Sequence, residues 1–167
     1  MVTYIILISL IVGLTAVAVR ALLKGKRHKQ KQLRIAEAYD RIVNQFKLAI
    51  QYSEFLSYRY IGLDRKNRQL ILIDHSGDEK QEKCISLYEI GDSKIIHEKD
   101  ESQNTKTIML ELKNRRNNNA VQFCFYNSDH DLAVELPSLF RKAIQWKNKV
   151  DLNKRRGSIH LEAEYVL

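Results

Sequence analysis

The hydrophobic and polar residues of the chain follow several successive patterns. Residues 1–23 are almost entirely apolar, and residues 35–54 then repeat apolar positions every three or four residues. From residue 55 the apolar positions alternate in short runs, and the helical spacing returns before residue 150. These patterns predict an apolar helix, an amphipathic helix, several strands and a closing amphipathic helix. The stripe of the first amphipathic helix is shorter than three heptads, which favours a helix packed on the body over a dimeric coiled coil.

The first stretch has the length and composition of a transmembrane helix. None of residues 2–19 is charged, and about 20 apolar residues are enough to cross a hydrocarbon core of roughly 30 Å. Arg20 can extend its charged end to the headgroups. A cleaved secretory signal is the alternative, because residues 16–18 (Ala-Val-Ala) resemble a cleavage site. No Lys or Arg precedes the apolar run, so we expect an anchor.

Residues 24–34 form a basic juxtamembrane segment. Positively charged flanks stay in the cytoplasm, which predicts a single-pass protein of the cell membrane with its N-terminus outside and its C-terminal domain cytoplasmic. The layout suits a bacterial inner membrane. The same cations are candidate contacts for anionic lipid headgroups, although they are also explained as a topology signal alone. They are Lys24, Lys26, Arg27, Lys29, Lys31 and Arg34.

The net charge of +8 is concentrated in this N-terminal part. Seven of the 28 basic residues lie within residues 1–34, which contain no acidic residue. The rest of the chain therefore carries 21 basic and 20 acidic residues and is almost neutral. A nucleic-acid-binding domain normally concentrates positive charge on its body, so this distribution argues against nucleic acid as a partner.

Residues 55–150 have the pattern of an α+β domain. Tyr58–Asp64 and Gln69–Asp74 predict a hairpin around a polar turn, and further strand-like runs end near Tyr126. The closing helix carries Trp146 on its apolar stripe and contains Pro137, which is accommodated in a first helical turn. Residues 151–167 have no clear periodicity and are predicted to be a flexible tail.

This order of strands and helix resembles the pleckstrin-homology-like superfold, as found in small bacterial single-pass membrane proteins of unknown function. The resemblance rests on the Ile61–Asp64 and Asn67–Leu70 hairpin, the Ile85–Leu87 segment and the closing helix. It implies one curled antiparallel sheet whose open end is closed by that helix. The resemblance also implies that Arg65, Lys66 and Arg68, in the first hairpin loop, are candidates for binding phosphoinositide headgroups.

The sequence contains no recognisable catalytic, cofactor or metal motif. Its six glycines form no phosphate-binding loop, and its five histidines are far apart. The densest set of possible metal ligands, residues 129–131 (Asp-His-Asp), is typical of a helix start, where Asp caps N–H groups. Cys84 and Cys124 lie in apolar runs and are expected to be reduced and buried. We therefore assign no catalytic, cofactor-binding or metal residue.

The sequence predicts a membrane-tethered, non-enzymatic interaction module that recruits a protein partner to the cytoplasmic face. Strand addition at an exposed sheet edge is one mode of such recruitment. The alternatives are a structural accessory subunit of a membrane protein complex, an anionic-lipid-binding module and, less consistent with the motifs, a small enzyme.

Overall fold

The computed structural model describes residues 29–77, 79–131 and 135–164, with the side chains of the last helix described as far as Lys154. Within these residues, helix α1 (29–46) precedes seven strands, and helix α2 (Leu136–Glu164) follows them. A short 3-10 helix, Leu87–Glu89, separates the fourth strand from the fifth. The strands form two antiparallel sheets.

Sheet A contains four strands in chain order. Across its central pair, Leu63 faces Leu70 and Ile61 faces Leu72. Because side chains alternate along a strand, these four residues share one face, and it points into the main core. The second strand is buried along its whole length since both faces of the sheet are covered. The strands are β1 (Tyr52–Leu56), β2 (Arg59–Asp64), β3 (Gln69–Asp74) and β4 (Gln81–Ser86).

Sheet B contains three longer strands, also in chain order. Its central strand alternates as the sequence predicts, with Ile108, Leu110 and Leu112 buried on one face. Leu110 pairs with Phe123 of the last strand. The residues between the three buried ones are Met109, which is half-buried, and Glu111, which is buried and pairs with Lys94 at 3.1 Å. The strands are β5 (Ile90–Lys99), β6 (Thr105–Asn114) and β7 (Ala120–Asn127).

Helix α2 packs against the core that both sheets share. Trp146, Ala143 and Val150 are spaced three and four residues apart and are at most 1% exposed. They join Leu70 of sheet A and Phe125 of sheet B in one hydrophobic cluster. The helix begins at Leu136, so Pro137 lies in its first turn, as the sequence predicts.

Helix α1 covers the opposite face of sheet A. Ile35, Ala38 and Ile42 form its buried stripe and pack with Ile71 and Ile73 in a second hydrophobic cluster. This face of β2 and β3 would otherwise be exposed to solvent. Helix α1 therefore packs on the domain, as its short apolar stripe indicates, and the folded unit includes residues before 55.

The predicted single curled sheet is wrong. The described strands form a four-stranded and a three-stranded sheet, and no strand of one is hydrogen-bonded to a strand of the other. The 3-10 helix Leu87–Glu89 interrupts the chain between β4 and β5, so the two strands do not continue one ladder. Apolar packing, with α2 contributing to the core, holds the sheets together instead.

The predicted amphipathic helix over residues 35–54 has the wrong limits. Residues 29–34, expected to be a separate basic segment, are already helical, and the helix ends at residue 46. Lys47 adopts a positive φ of 49°, and the Leu48 N–H donates to the Val43 carbonyl at 3.0 Å, an ending typical of helices. The residues that follow form strand β1, which the sequence pattern did not reveal.

The transmembrane helix expected in the first 23 residues is not part of the fold described here. Residues 1–23 lie outside the described residues, as do Lys24, Lys26 and Arg27 of the basic segment. Neither α1 nor the described α2 combines the length and the apolar character that a membrane crossing needs.

Helix α2 continues to Glu164, past the end at residue 150 that the sequence indicated. Asp151 accounts for the first part of this extension, because it pairs with Lys147 at 2.8 Å and with Lys154 at 3.0 Å along the helix. The Asn153 side chain also donates to the Lys149 carbonyl at 2.7 Å. These contacts replace the apolar stripe on which the sequence prediction relied.

Candidate functional site

A cleft of about 480 Å³ opens where the β1–β2 turn, the end of β7 and the start of α2 meet. Its apolar lining includes Leu56 from β1, Phe125 from β7 and Leu139 from α2. Phe55 also lines it and is 48% exposed, which is high for a phenylalanine. Clefts of this volume with a few polar groups are typical of ligand-binding sites.

Arg59 is the polar centre of this cleft. Its side chain is 1% exposed, although it is a strand residue on the inner face of sheet A. The guanidinium donates from Nε to Asp74 Oδ2 at 3.1 Å and from Nη1 to Asp131 Oδ2 at 2.7 Å. Two carboxylates therefore hold one buried cation in a fixed orientation.

Asp131 links this centre to the β7–α2 connection. Its Oδ2 also accepts the Asn127 backbone N–H at 2.9 Å, which fixes the loop next to Arg59. The sequence interpretation of residues 129–131 as the cap of a helix start is therefore wrong, because helix α2 begins at Leu136. Among the residues that the structure describes, no three His, Cys, Asp or Glu side chains are arranged so that they could hold a metal ion.

Two polar atoms of this centre have no hydrogen-bond partner among the described residues. They are Arg59 Nη2, a donor, and Asp131 Oδ1, an acceptor, and both are buried. With Asp74 and Asp131 facing one guanidinium, the centre has a net charge of −1 by formal count. The arrangement can therefore donate and accept at once, but it does not attract an anion strongly.

The electrostatics keep Arg59 charged and the neighbouring thiol neutral. Burial opposes the charged guanidinium, but the negative charges of Asp74 and Asp131 and the hydrogen bond to Asp131 outweigh it and raise the pKa of Arg59. Burial, together with the two carboxylates, raises the pKa of the Cys124 thiol to about 11 against the opposing effect of Arg59. Cys124 is thus a thiol near neutral pH and not an activated nucleophile.

The basic loop between β2 and β3 forms a second, more open hollow. Arg65, Lys66 and Arg68 line it together with Gln51 and Asn153. No ion pair of these three cations occurs among the described residues. Arg65 donates to Asn153 Oδ1 at 3.3 Å, and Arg68 lies over the Tyr88 ring at 4.9 Å. The hollow combines positive charge with neutral polar groups.

The predicted lipid-contact residues that the structure describes lie on α1. Lys29 and Arg34 are exposed, whereas Lys31 is half-buried and lies 4.7 Å from the Tyr58 ring centroid. The structure does not bring these cations to the β2–β3 loop hollow, whose lining comes from other elements. A cation–π contact of this kind gives Lys31 a structural role in addition to its charge.

Sequence reasoning missed the Arg59 centre. The one available signal was a charged residue inside the run Tyr58-Arg59-Tyr60-Ile61, since a buried arginine needs carboxylate partners. Those partners are 15 and 72 positions away, so the sequence spacing could not identify them.

Comparisons of the chain with protein-family models, with curated proteins and with solved structures found no match.

Proposed function

We propose that this protein is a non-enzymatic interaction module that recruits a protein partner at the cytoplasmic face of the cell membrane, and that the Arg59 cleft is its recognition site. The apolar residues 1–23 and the basic residues 24–34 would hold the domain at the membrane. The observation that carries the proposal is the cleft itself, in which exposed apolar surface surrounds a buried, preorganised arginine.

The lining of the cleft supports a protein partner. Apolar pockets next to one fixed arginine are characteristic of the energetic centres of protein interfaces. Strand β1, which contributes Phe55 and Leu56, is an edge strand of sheet A. Strand addition beside the cleft would bring side chains of the partner towards it.

Site-specific photo-crosslinking in cells tests this proposal. The full chain carries a photoreactive phenylalanine analogue either at Phe55, in the cleft, or at Tyr88, an aromatic residue of similar exposure that does not line it. We expect one protein to be captured from the Phe55 position and not from the Tyr88 position. Leu139→Ala should reduce this capture severalfold because it removes part of the apolar lining.

Ile144→Ala is the matched control, because Ile144 lies on the same helix, is 38% exposed and does not line the cleft. Equal capture from both aromatic positions, or capture that does not depend on Leu139, would contradict the proposal. Replacing residues 2–23 by an unrelated anchor separates recruitment from the accessory-subunit alternative. A recruiting domain should retain its partner after this exchange, whereas a subunit packed through its anchor should lose it.

A second candidate function is binding of anionic lipid headgroups by the β2–β3 loop. Its three cations favour this function, because none of them forms an ion pair with another described residue. Phosphate groups bind where several cations converge without competing carboxylates. The full chain in nanodiscs, with a paramagnetic lipid in the bilayer, provides the test. Signals of the loop amides should broaden more with phosphatidylserine than with phosphatidylcholine alone.

Replacing Arg65, Lys66 and Arg68 together by Ala should remove this difference. The charge-matched control replaces three exposed lysines in other loops or strands, namely Lys80, Lys99 and Lys106. A similar loss in both triple variants would indicate a general effect of net charge and would reject a specific headgroup site.

A further inference from the structure

We propose that Arg59 and Asp131 form a binding site for a neutral carboxamide group at the buried side of the cleft. The inference rests on the proposed function and deepens it by naming the chemical group of the partner that the cleft recognises. That group is either a main-chain peptide bond or the side-chain amide of Asn or Gln, attached to an apolar moiety.

The unpaired atoms define this chemistry. Arg59 Nη2 has N–H groups to donate and Asp131 Oδ1 has lone pairs to accept, and neither meets a protein partner among the described residues. Both residues line the same cleft. Buried polar groups that remain unpaired cost about 1–3 kcal/mol each, so a ligand that satisfies both is favoured. A carboxamide does so, because its carbonyl accepts from Arg59 and its N–H donates to Asp131.

Charge excludes the obvious alternatives. A carboxylate or phosphate would pair with Arg59 but would face Asp74 and Asp131, which already neutralise the guanidinium. Lys142, the other cation of the cleft, is engaged by Glu54 at 2.6 Å. An ammonium group would satisfy Asp131 Oδ1 only, because it has no acceptor for Arg59 Nη2 and would face the Arg59 cation. A neutral group with one donor and one acceptor avoids both repulsions.

The geometry is prepared for such a ligand. The ion pairs to Asp74 and Asp131 fix the guanidinium before any ligand arrives, so binding does not need to order a flexible side chain. The surrounding Leu56, Phe125 and Leu139 offer an apolar contact for the hydrocarbon part. We therefore expect a branched aliphatic carboxamide to fit.

Titration of the full chain in detergent micelles with four probes that share one isopropyl group tests the inference. The probes are isobutyramide, N-methylisobutyramide, N,N-dimethylisobutyramide, which lacks the N–H, and the isobutyrate anion. The amide signal of Asn127 reports binding because its N–H donates to Asp131. Either of the first two probes should bind about fivefold or more tightly than the last two, as expected for one net hydrogen bond.

The first two probes also separate the two sources of the group. Tighter binding of isobutyramide points to an Asn or Gln side chain, tighter binding of N-methylisobutyramide points to a peptide bond, and equal binding means that the site accepts both. Equal affinity for all four probes, preference for isobutyrate or absence of binding would overturn the inference. Absence of binding would mean that only water forms hydrogen bonds with Arg59 Nη2 and Asp131 Oδ1.

Asp131→Asn turns an acceptor into an amide and should abolish the preference for probes that carry an N–H. Asp129→Asn, in the same loop but exposed, is the matched control and should preserve it. If Asp131→Asn does not fold, the probe series on the unmodified chain still tests whether the site selects a carboxamide.

Selective carboxamide binding without crosslinking from the Phe55 position would reject protein recruitment and retain the carboxamide site. Crosslinking that depends on Leu139 but is not accompanied by probe selectivity would support protein recruitment and reject the carboxamide site.

Discussion

Asp64 shows how one buried side chain organises the loop between two strands. It lies at the end of β2 and is 0% exposed. Its carboxylate accepts the Asn67 backbone N–H at 2.9 Å, the Asn67 side chain at 2.8 Å and the Ala49 backbone N–H at 2.7 Å. One carboxylate therefore fixes both the basic β2–β3 loop and the segment that connects α1 to β1.

Asp64→Ala should lower the free energy of unfolding by about 1–3 kcal/mol, because it leaves three donors without their acceptor. Chemical denaturation of the full chain in micelles measures this change. Asp92→Ala replaces an exposed carboxylate on β5 and should change the value by about 0.5 kcal/mol or less. Equal effects of the two substitutions would contradict the role assigned to Asp64.

The pH dependence of stability provides a second test at this residue. Burial alone would raise the pKa of Asp64, but the N–H donors of Asn67, Ala49 and Lys66 outweigh it and lower the pKa. The unfolded chain then binds more protons, so this stabilisation is complete above the unfolded pKa of about 4 and is lost as the pH falls through the folded value. Compared with Asp64→Asn, the unmodified chain should lose its stability advantage below about pH 4. A constant difference down to pH 2 would contradict this.

For single helices and strands, the spacing of apolar residues predicted the type of most elements but not the residues at which they begin and end. The apolar stripes of α1, with Ile35 and Ile42, and of α2, with Trp146, were visible in the sequence because a packed helix repeats its apolar face. Strand β1 was missed because Ile50 and Phe46 extend a helical spacing, and only the positive φ of Lys47 ends it. A backbone conformation adopted by one lysine leaves no trace in composition.

Helix α1 should be essential to the fold, although the strand pattern of the α+β domain begins only near residue 55. Ile35→Ala should destabilise the domain by about 2–5 kcal/mol, because Ile35 is fully buried against sheet A. Leu33→Ala is the matched control, since Leu33 lies two positions away and is 55% exposed. The denaturation midpoint of Ile35→Ala should be clearly lower than that of Leu33→Ala. Equal midpoints would mean that α1 is an independent stalk.

The candidate site depends on contacts that no local pattern encodes. The basic loop was predictable because Arg65, Lys66 and Arg68 are adjacent in the sequence. The Arg59 centre was not, because it combines the start of β2, the end of β3 and the β7–α2 connection. Its two unpaired atoms result from that packing, and only the packed structure distinguishes them from ordinary surface polar groups.

For the whole molecule, the two sheets depend on one shared core. Strands β4 and β5 are not hydrogen-bonded to each other, so apolar contacts and α2 hold the sheets together. Residues of both sheets and of α2 belong to the same cluster, with Trp146 1% exposed within it. A sheet of three strands that loses this core would expose its apolar face to water.

We therefore expect both sheets to unfold in one cooperative transition. Amide hydrogen exchange under mild denaturant should give the same opening free energy for Leu63 in sheet A and Leu110 in sheet B, because each is buried in the shared core. Trp146→Ala should lower both values together by about 3–5 kcal/mol, whereas Leu152→Ala, at a position 60% exposed on the same helix, should leave them nearly unchanged. If sheet B opened at a lower free energy while sheet A kept its value, the molecule would consist of two separate cooperative units. The Arg59 cleft, which residues of both sheets line, would then be lost before the domain as a whole unfolds.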